Sequence, residues 1–237
     1  MSPYIARVST TQGSVPFEQT YSGLLAWYDA SRVTGSNGQR LTTITDLSGM
    51  GNNLTAVTSG AIYDQTTFFN RPSFSFNGTD TQMTFSARMI PLTGFSIFVV
   101  ARQTGAAGAT RRLIGVESSA DGNNALGWYS VAWIIRNGGV NGDVSHNGYV
   151  ANGTIYSVLV GAGGTAATMT KCNGSAQATG AQSAFTSAGV NFHLGSAGSN
   201  DFLFEGYIGE FIAYNRKLSE AGRDSLHNQL NAKWGVF

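Results

Sequence analysis

Two glutamates near the end of the chain, Glu205 and Glu210, lie five residues apart in a run of strand-forming residues. A pair of carboxyls is what a glycosidase needs. A retaining enzyme sets them about 5 Å apart, one as nucleophile and one as acid. Positions five apart on a regular strand point to opposite faces, so this pair does not meet that need. Other acids, among them Asp64, Asp80, Glu117, Asp121, Asp143 and Asp201, are scattered. Glu210 fits better as a partner in a structural hydrogen bond or ion pair near the helix that follows, with Arg216 as its candidate cation. The histidines, His146, His193 and His227, show no paired spacing of the kind that holds a metal. No Gly-x-Ser-x-Gly elbow is present. Gly161-Ala162-Gly163-Gly164 does not lead into a Lys-Ser/Thr helix and is no phosphate loop. The lone Cys172 has no internal disulfide partner and gives no zinc spacing. It reads as a small half-buried residue beside a turn.

Two constellations suit binding rather than turnover. Trp128, Tyr129, Trp133 and Tyr149 are interleaved with Asn123, Asn124, Asn137 and Asn147. Exposed aromatic faces with amide groups beside them make a platform for a sugar ring. The competing reading is alternation, with Trp133 in the core and Tyr149 packed on a sheet. The second constellation is the loop Asp46-Leu47-Ser48-Gly49-Met50-Gly51-Asn52-Asn53. Its Asp and Asn side chains can bond their own backbone. A cation held by carboxylate and carbonyl oxygens is the alternative.

The elements that would carry these residues are short strands. The chain has 237 residues, of which 31 are Gly and only 11% are charged, against a usual charged share of about 25%. That is a turn-rich β composition with a polar, uncharged surface. The net charge of +1 leaves no footprint for nucleic acid or an anionic membrane. The pair Arg111-Arg112 reads as a solvated loop. No apolar run reaches the roughly 18 residues of a membrane span.

Strands are expected over Leu24–Tyr28, near Leu41–Thr45, and over Phe74–Phe76, Met83–Phe85, Phe95–Ala101, Leu113–Val116, Ala125–Tyr129, Val131–Arg136, Thr154–Gly161, Ala166–Lys171 and Val190–Leu194. Phe95–Ala101 is apolar almost throughout and suits a strand buried on both faces. Asn137-Gly138, Asn141-Gly142 and Asn173-Gly174 are hairpin turn signals. Residues 1–20 contain Pro3 and Pro16 and have no sustained period. They read as an arm or linker, either frayed or docked on a partner through Tyr4, Ile5, Val8, Val15 and Phe17. The rest, 21–237, reads as the folded domain.

The run Phe204–Tyr214 closes the chain as a strand. Tyr207, Phe211 and Ala213 are expected on one face, with Ile208, Glu210, Ile212 and Tyr214 on the other. Ser219 then caps a helix whose Leu226, Leu230 and Trp234 form one stripe, and Gly235 stops it. This ending resembles the closing segment of the concanavalin A-like lectin/glucanase superfamily, in its laminin-G-like and pentraxin-like branch. Phe204, Gly206, Ile208, Glu210, Phe211, Tyr214, Asn215, Arg216, Leu218 and Ser219 carry the resemblance. So do Gly23–Asp29, Asp46–Asn53, Arg71–Gly78 and Phe95–Val100, in the family's order.

The resemblance, with the strand pattern, implies an all-β fold: a two-sheet antiparallel jelly-roll sandwich with a short C-terminal helix and an extended N-terminal arm. The glucanase members carry a Glu-x-Asp-x-x-Glu motif, which this sequence lacks, so a glycoside hydrolase is disfavoured. Glycan binding through Trp128, Tyr129, Asn123, Asn124 and Tyr149 is expected. Calcium, carried over from laminin-G-like relatives, would rest on Asp46 or Asp121. Lectin-like domains act outside cells, yet no signal segment opens this sequence. Synthesis in a host cytoplasm and exposure on a virion surface reconcile the two. The expectation is therefore a non-enzymatic bacteriophage structural protein bound to capsid or tail proteins. Capsid decoration comes first, with tail or fibre receptor binding or a free lectin module as alternatives. Cell-surface glycans and a homo-oligomer are possible partners.

Overall fold

The computed structural model describes residues 22–86, 94–105, 111–116, 125–129, 132–136, 144–147, 153–161, 167–172, 177–180, 192–196 and 202–236. The expected arm over residues 1–20 lies outside them. Strands numbered in chain order form two antiparallel sheets. The first contains β1 (Leu24–Asp29), β4 (Ile62–Phe68), β5 (Arg71–Asn77), β7 (Phe95–Gln103), β12 (Thr154–Val160), β13 (Ala167–Cys172), β14 (Gln177–Gly180) and β16 (Glu205–Tyr214). Its order is β14-β13-β12-β7-β16-β5-β4, with β1 also paired to β16. The second contains β2 (Thr43–Ile44), β3 (Leu54–Ala56), β6 (Met83–Phe85), β8 (Arg111–Val116), β9 (Ala125–Tyr129), β10 (Ala132–Arg136), β11 (Val144–Asn147) and β15 (Phe192–Leu194). Its order is β11-β10-β9-β8-β15-β6-β3-β2. The all-β sandwich read from the sequence is the observed fold.

Two apolar layers hold it together. Between the sheets, Phe95, Ile97, Val99 and Ala101 of β7 meet Tyr156, Val158 and Val160 of β12 and Met83, Phe85, Leu113, Ile114, Phe192 and Leu194 of the opposite sheet. The alternate residues Phe98, Val100, Ile155 and Leu159 point the other way and bury against the C-terminal helix. The unbroken apolar runs of β7 and β12 thus serve two faces at once. The helix, α1 (Glu220–Trp234), covers the outer face of the first sheet with Leu226, Leu230 and Trp234. Ser219 Oγ accepts from Gly222 N at 3.1 Å and starts it. Gly235 sits in the left-handed region (φ 63°) and ends it, its N–H bonding Asn231 O.

The faces of β16 differ from the regular-strand expectation. Its register against β7 shifts between Ile208 and Glu210. Gly209 is the extra residue of a bulge, so the alternation changes phase there. Ile208, Phe211 and Ala213 all enter the inter-sheet core, while Tyr207, Ile212 and Tyr214 pack on the helix side. A glycine is needed at 209: a Cβ would stand 2.6 Å from the Trp234 ring.

Candidate functional site

Glu210 is 1% exposed and lies where β16, β1 and α1 meet. Trp27 Nε1 donates to its Oε1 at 2.8 Å, and Trp234 Nε1 donates to its Oε2 at 2.7 Å. Lys233 Nζ donates to Oε2 at 2.7 Å and to Asp29 Oδ2 at 2.6 Å. Burial pushes the Glu210 carboxyl up. Lys233 and the Trp234 donor oppose that, while the Asp29 charge adds to it. The helix partner foreseen for Glu210 is therefore real, but it is Lys233. Arg216 turns away and donates through Nε to Ser22 O. Asp29 also caps the single helical turn Ala30–Arg32 by accepting from Ser31 N and Ser31 Oγ, and it pairs with Arg32 Nε at 3.3 Å.

One loop away, Asp46 organises residues 46–53. Its Oδ1 accepts from Trp27 N (3.0 Å) and Ser48 N (2.9 Å), and its Oδ2 accepts from Ser48 Oγ (2.7 Å) and Asn52 N (2.9 Å). Asn53 Oδ1 accepts from Asp46 N, Asn52 Nδ2 donates to Leu25 O, and Tyr28 Oη donates to Asn52 O. Burial and the Asp46 charge push the Tyr28 hydroxyl pKa well up. Donors surround this carboxylate. Calcium needs six to eight oxygen ligands, so the groups around Asp46 do not fit it. Among the described residues no cluster of three metal-ligating side chains exists. Asp121 lies outside them.

Beside Asp29 opens a cleft of about 340 Å³. It is lined by Asp29, Arg32, Val33, Thr34, Gln39, Arg40, Leu41, Thr42, Thr43, Ile44, Thr45 and Leu47. The lining is rich in hydroxyl, amide and guanidinium groups. Its backbone is pinned from outside: Leu41 N bonds Ala61 O, Tyr63 N bonds Gln39 O, Gly38 N bonds Tyr63 O, and Ala56 N bonds Thr42 O. Gly60 lets the chain pass close, since a Cβ there would lie 1.9 Å from Leu41 O. Arg40 Nη1 reaches Ser59 Oγ and Gly60 O. The Arg32 guanidinium lies 4.8 Å over the Trp27 ring, with half of its side chain (51%) exposed.

Of the residues proposed from the sequence for sugar stacking, the described ones are not among the cleft's lining residues. Trp128 and Tyr129 belong to β9 of the second sheet. Backbone register aligns Arg111, Trp128, Trp133 and His146 in one row across β8, β9, β10 and β11. Asn123, Asn124 and Tyr149 lie outside the described residues. Glu205 pairs with Arg111 Nη2 at 3.3 Å. At about 3.3 Å per residue its Cα is roughly 16 Å along the strand from that of Glu210, too far for a hydrolytic pair. His227 is buried on the sheet-facing side of α1, with Nε2 3.0 Å from Ser157 Oγ and its ring edge-on to Phe98. Burial and the charge of Arg223 hold its pKa down at about 4, with Asp224 opposing. Sequence reasoning missed Trp27, Asp29, Arg32, Arg40 and Lys233. The only signal was that Trp27 and Asp29 lie in a motif shared with the resembled family.

Neither a family model nor a curated protein sequence matches the chain. Solved structures do. Trypanosoma rangeli sialidase superposes with a TM-score of 0.59 at 10% identity, over 89% of this chain and 33% of the sialidase. The binding domain of botulinum neurotoxin DC, in complex with SialylT, gives 0.60 at 12% identity, over 88% of this chain and 52% of that one. Domain 4 of AbnA, a GH43 extracellular arabinanase from Geobacillus stearothermophilus, in complex with arabinotriose, gives 0.54 at 16%, over 86% and 98%. The chain spans about a third of the sialidase and half of the toxin chain. At these identities the likeness is one of fold, and the chain shares the all-β sandwich of these sialidase, toxin-binding and arabinanase-domain structures.

Proposed function

We propose that the chain is a non-catalytic carbohydrate-binding module, of the concanavalin A-like kind, which takes a saccharide in the cleft beside Asp29 and Thr43. The observation that carries this reading is the lining. Thr34, Thr42, Thr43, Thr45, Gln39 and Arg32 are among the residues that line a cavity large enough for a sugar ring, backed by hydrogen-bonded backbone. Fold relatives in complex with SialylT and with arabinotriose support it. Asp29 is the sole carboxylate among the lining residues, and Lys233 and Arg32 hold it in ion pairs. One engaged carboxylate cannot act as both acid and nucleophile.

Display on a virion, with residues 1–20 docked on capsid or tail proteins, is the finer part of the sequence expectation. The fold relatives lend it no support, and the arm lies outside the described residues. Glycan binding does not depend on it. The test is binding of the full chain to a panel of immobilised neutral and acidic glycans. Thr43→Val should weaken the bound glycan about five- to ten-fold, the worth of one lost hydrogen bond. A panel with no bound glycan would contradict the reading.

A further inference from the structure

We infer that the cleft's ligand is a neutral saccharide, taken by the hydroxyls of Thr43 and Thr45 and by the Gln39 amide rather than by any charge. This rests on the binding-module reading of the same cleft and adds the ligand's class. The charged residues of the lining are Asp29, Arg32 and Arg40. The protein already compensates each of them. Asp29 Oδ2 pairs with Arg32 Nε at 3.3 Å and with Lys233 Nζ at 2.6 Å, and Lys233 is shared with Glu210 at 2.7 Å. Both Glu210 oxygens accept hydrogen bonds, as an ionised carboxylate does. Asp29 and Glu210 against Arg32 and Lys233 close this network at zero net charge. Arg40 Nη1 donates to Ser59 Oγ and Gly60 O, and Asp80 faces the Arg40 charge. A carboxylate or ammonium entering the cleft would give up water and meet no uncommitted counter-ion.

The groups that the lining leaves uncommitted are neutral. Thr43 and Thr45 are exposed and alternate with the buried Ile44 and Asp46, at the β2 edge of the second sheet. Among the described residues no hydrogen bond engages the Thr43 or Thr45 hydroxyl. Gln39 Oε1 accepts from Ser36 N at 3.0 Å. That bond fixes the amide and leaves Nε2 as a donor. Sugar hydroxyls both donate and accept, so threonine hydroxyls and an amide can satisfy them without a charge. Gln39 is tied down through its oxygen and its backbone bonds Tyr63, so it loses little freedom when a ring binds.

The experiment is calorimetric titration of the full chain with disaccharide pairs that share a skeleton and differ in charge. The pairs are galactobiose with digalacturonic acid, cellobiose with cellobiouronic acid, and di-N-acetylchitobiose with its de-N-acetylated form. At least one neutral sugar should bind, with its charged counterpart about five-fold or more weaker. Raising salt from about 50 to about 500 mM should leave the neutral affinity unchanged. Gln39→Glu keeps an acceptor for Ser36 N but removes the donor, and should weaken the neutral sugar about five-fold or more. Thr45→Val, which removes a hydroxyl at nearly constant volume, should do the same. A charged sugar binding as tightly as its neutral counterpart or tighter, or neutral binding that falls with salt, would overturn the inference and spare the module reading. So would neutral binding indifferent to both variants. Binding of no saccharide at all would overturn the module reading, and the inference with it. Unchanged thermal midpoints of the variants guard against loss of fold.

Discussion

Burying the Glu210 carboxylate costs several kcal/mol, and only donors fixed in place offset it. Trp27, Trp234 and Lys233 supply them from a strand and a helix far apart in the chain. Glu210→Gln removes the ion pair, leaves Lys233 beside a neutral group, and should destabilise the protein by about 3 kcal/mol in urea unfolding. Trp27→Phe loses one charge-assisted hydrogen bond and should cost about 2 kcal/mol. His227 gives a pH signature. Its pKa is held down at about 4 in the fold against 6.5 as its ordinary value. The unfolded chain therefore binds the proton first. The stability contributed by the neutral ring is complete above about pH 6.5 and is lost as pH falls toward 4, up to about 3 kcal/mol. Glu210, pushed up by burial, works in the opposite direction. The clean readout is therefore the difference between wild type and His227→Asn: the gap in unfolding free energy should narrow between pH 6.5 and 4.5.

At the level of elements, the helix and the bulged strand β16 are one unit. Trp234→Ala should cost about 3–5 kcal/mol by opening a cavity over the sheet. Gly209→Ala should push the Trp234 ring off its seat and destabilise by about 1–3 kcal/mol; thermal unfolding reads both. The helix was legible in the sequence because cap, apolar stripe and stop agree on the same residues. β7 was legible because an unbroken apolar run has one structural meaning here. The phase of β16 was not, since one inserted residue shifts every side chain after it, and Gly209 was its only mark. β4 escaped notice because Asp64-Gln65-Thr66-Thr67 is polar and its turn to β5 is Phe69-Asn70, with φ of 53° and 54°. A phenylalanine in that conformation carries no turn signature. The candidate site was less legible still. Trp27 and Glu210 are 183 positions apart. Arg32 and Arg40 are exposed residues without period, and only the folded segment 33–45 brings them into the lining of one cavity.

On the scale of the whole molecule, one side of the sandwich is sealed by α1, and the cleft lies beside the β1 end of that sealed layer. The network of Glu210, Lys233 and Asp29 ties the two together, so loosening the helix should weaken binding as well as stability. Residues 1–20 lie outside the described residues. A chain beginning at residue 21 should keep its thermal midpoint and its glycan binding, and full-length protein measured in parallel checks this. The most direct test of the account is to map a bound saccharide by amide chemical-shift perturbation on the isotope-labelled full chain. The account predicts perturbations concentrated at Arg32, Gln39, Arg40, Thr42, Thr43 and Thr45. Perturbations concentrated instead on Trp128, Trp133 and their neighbours in β9 and β10 would contradict it and return the site to the aromatic row.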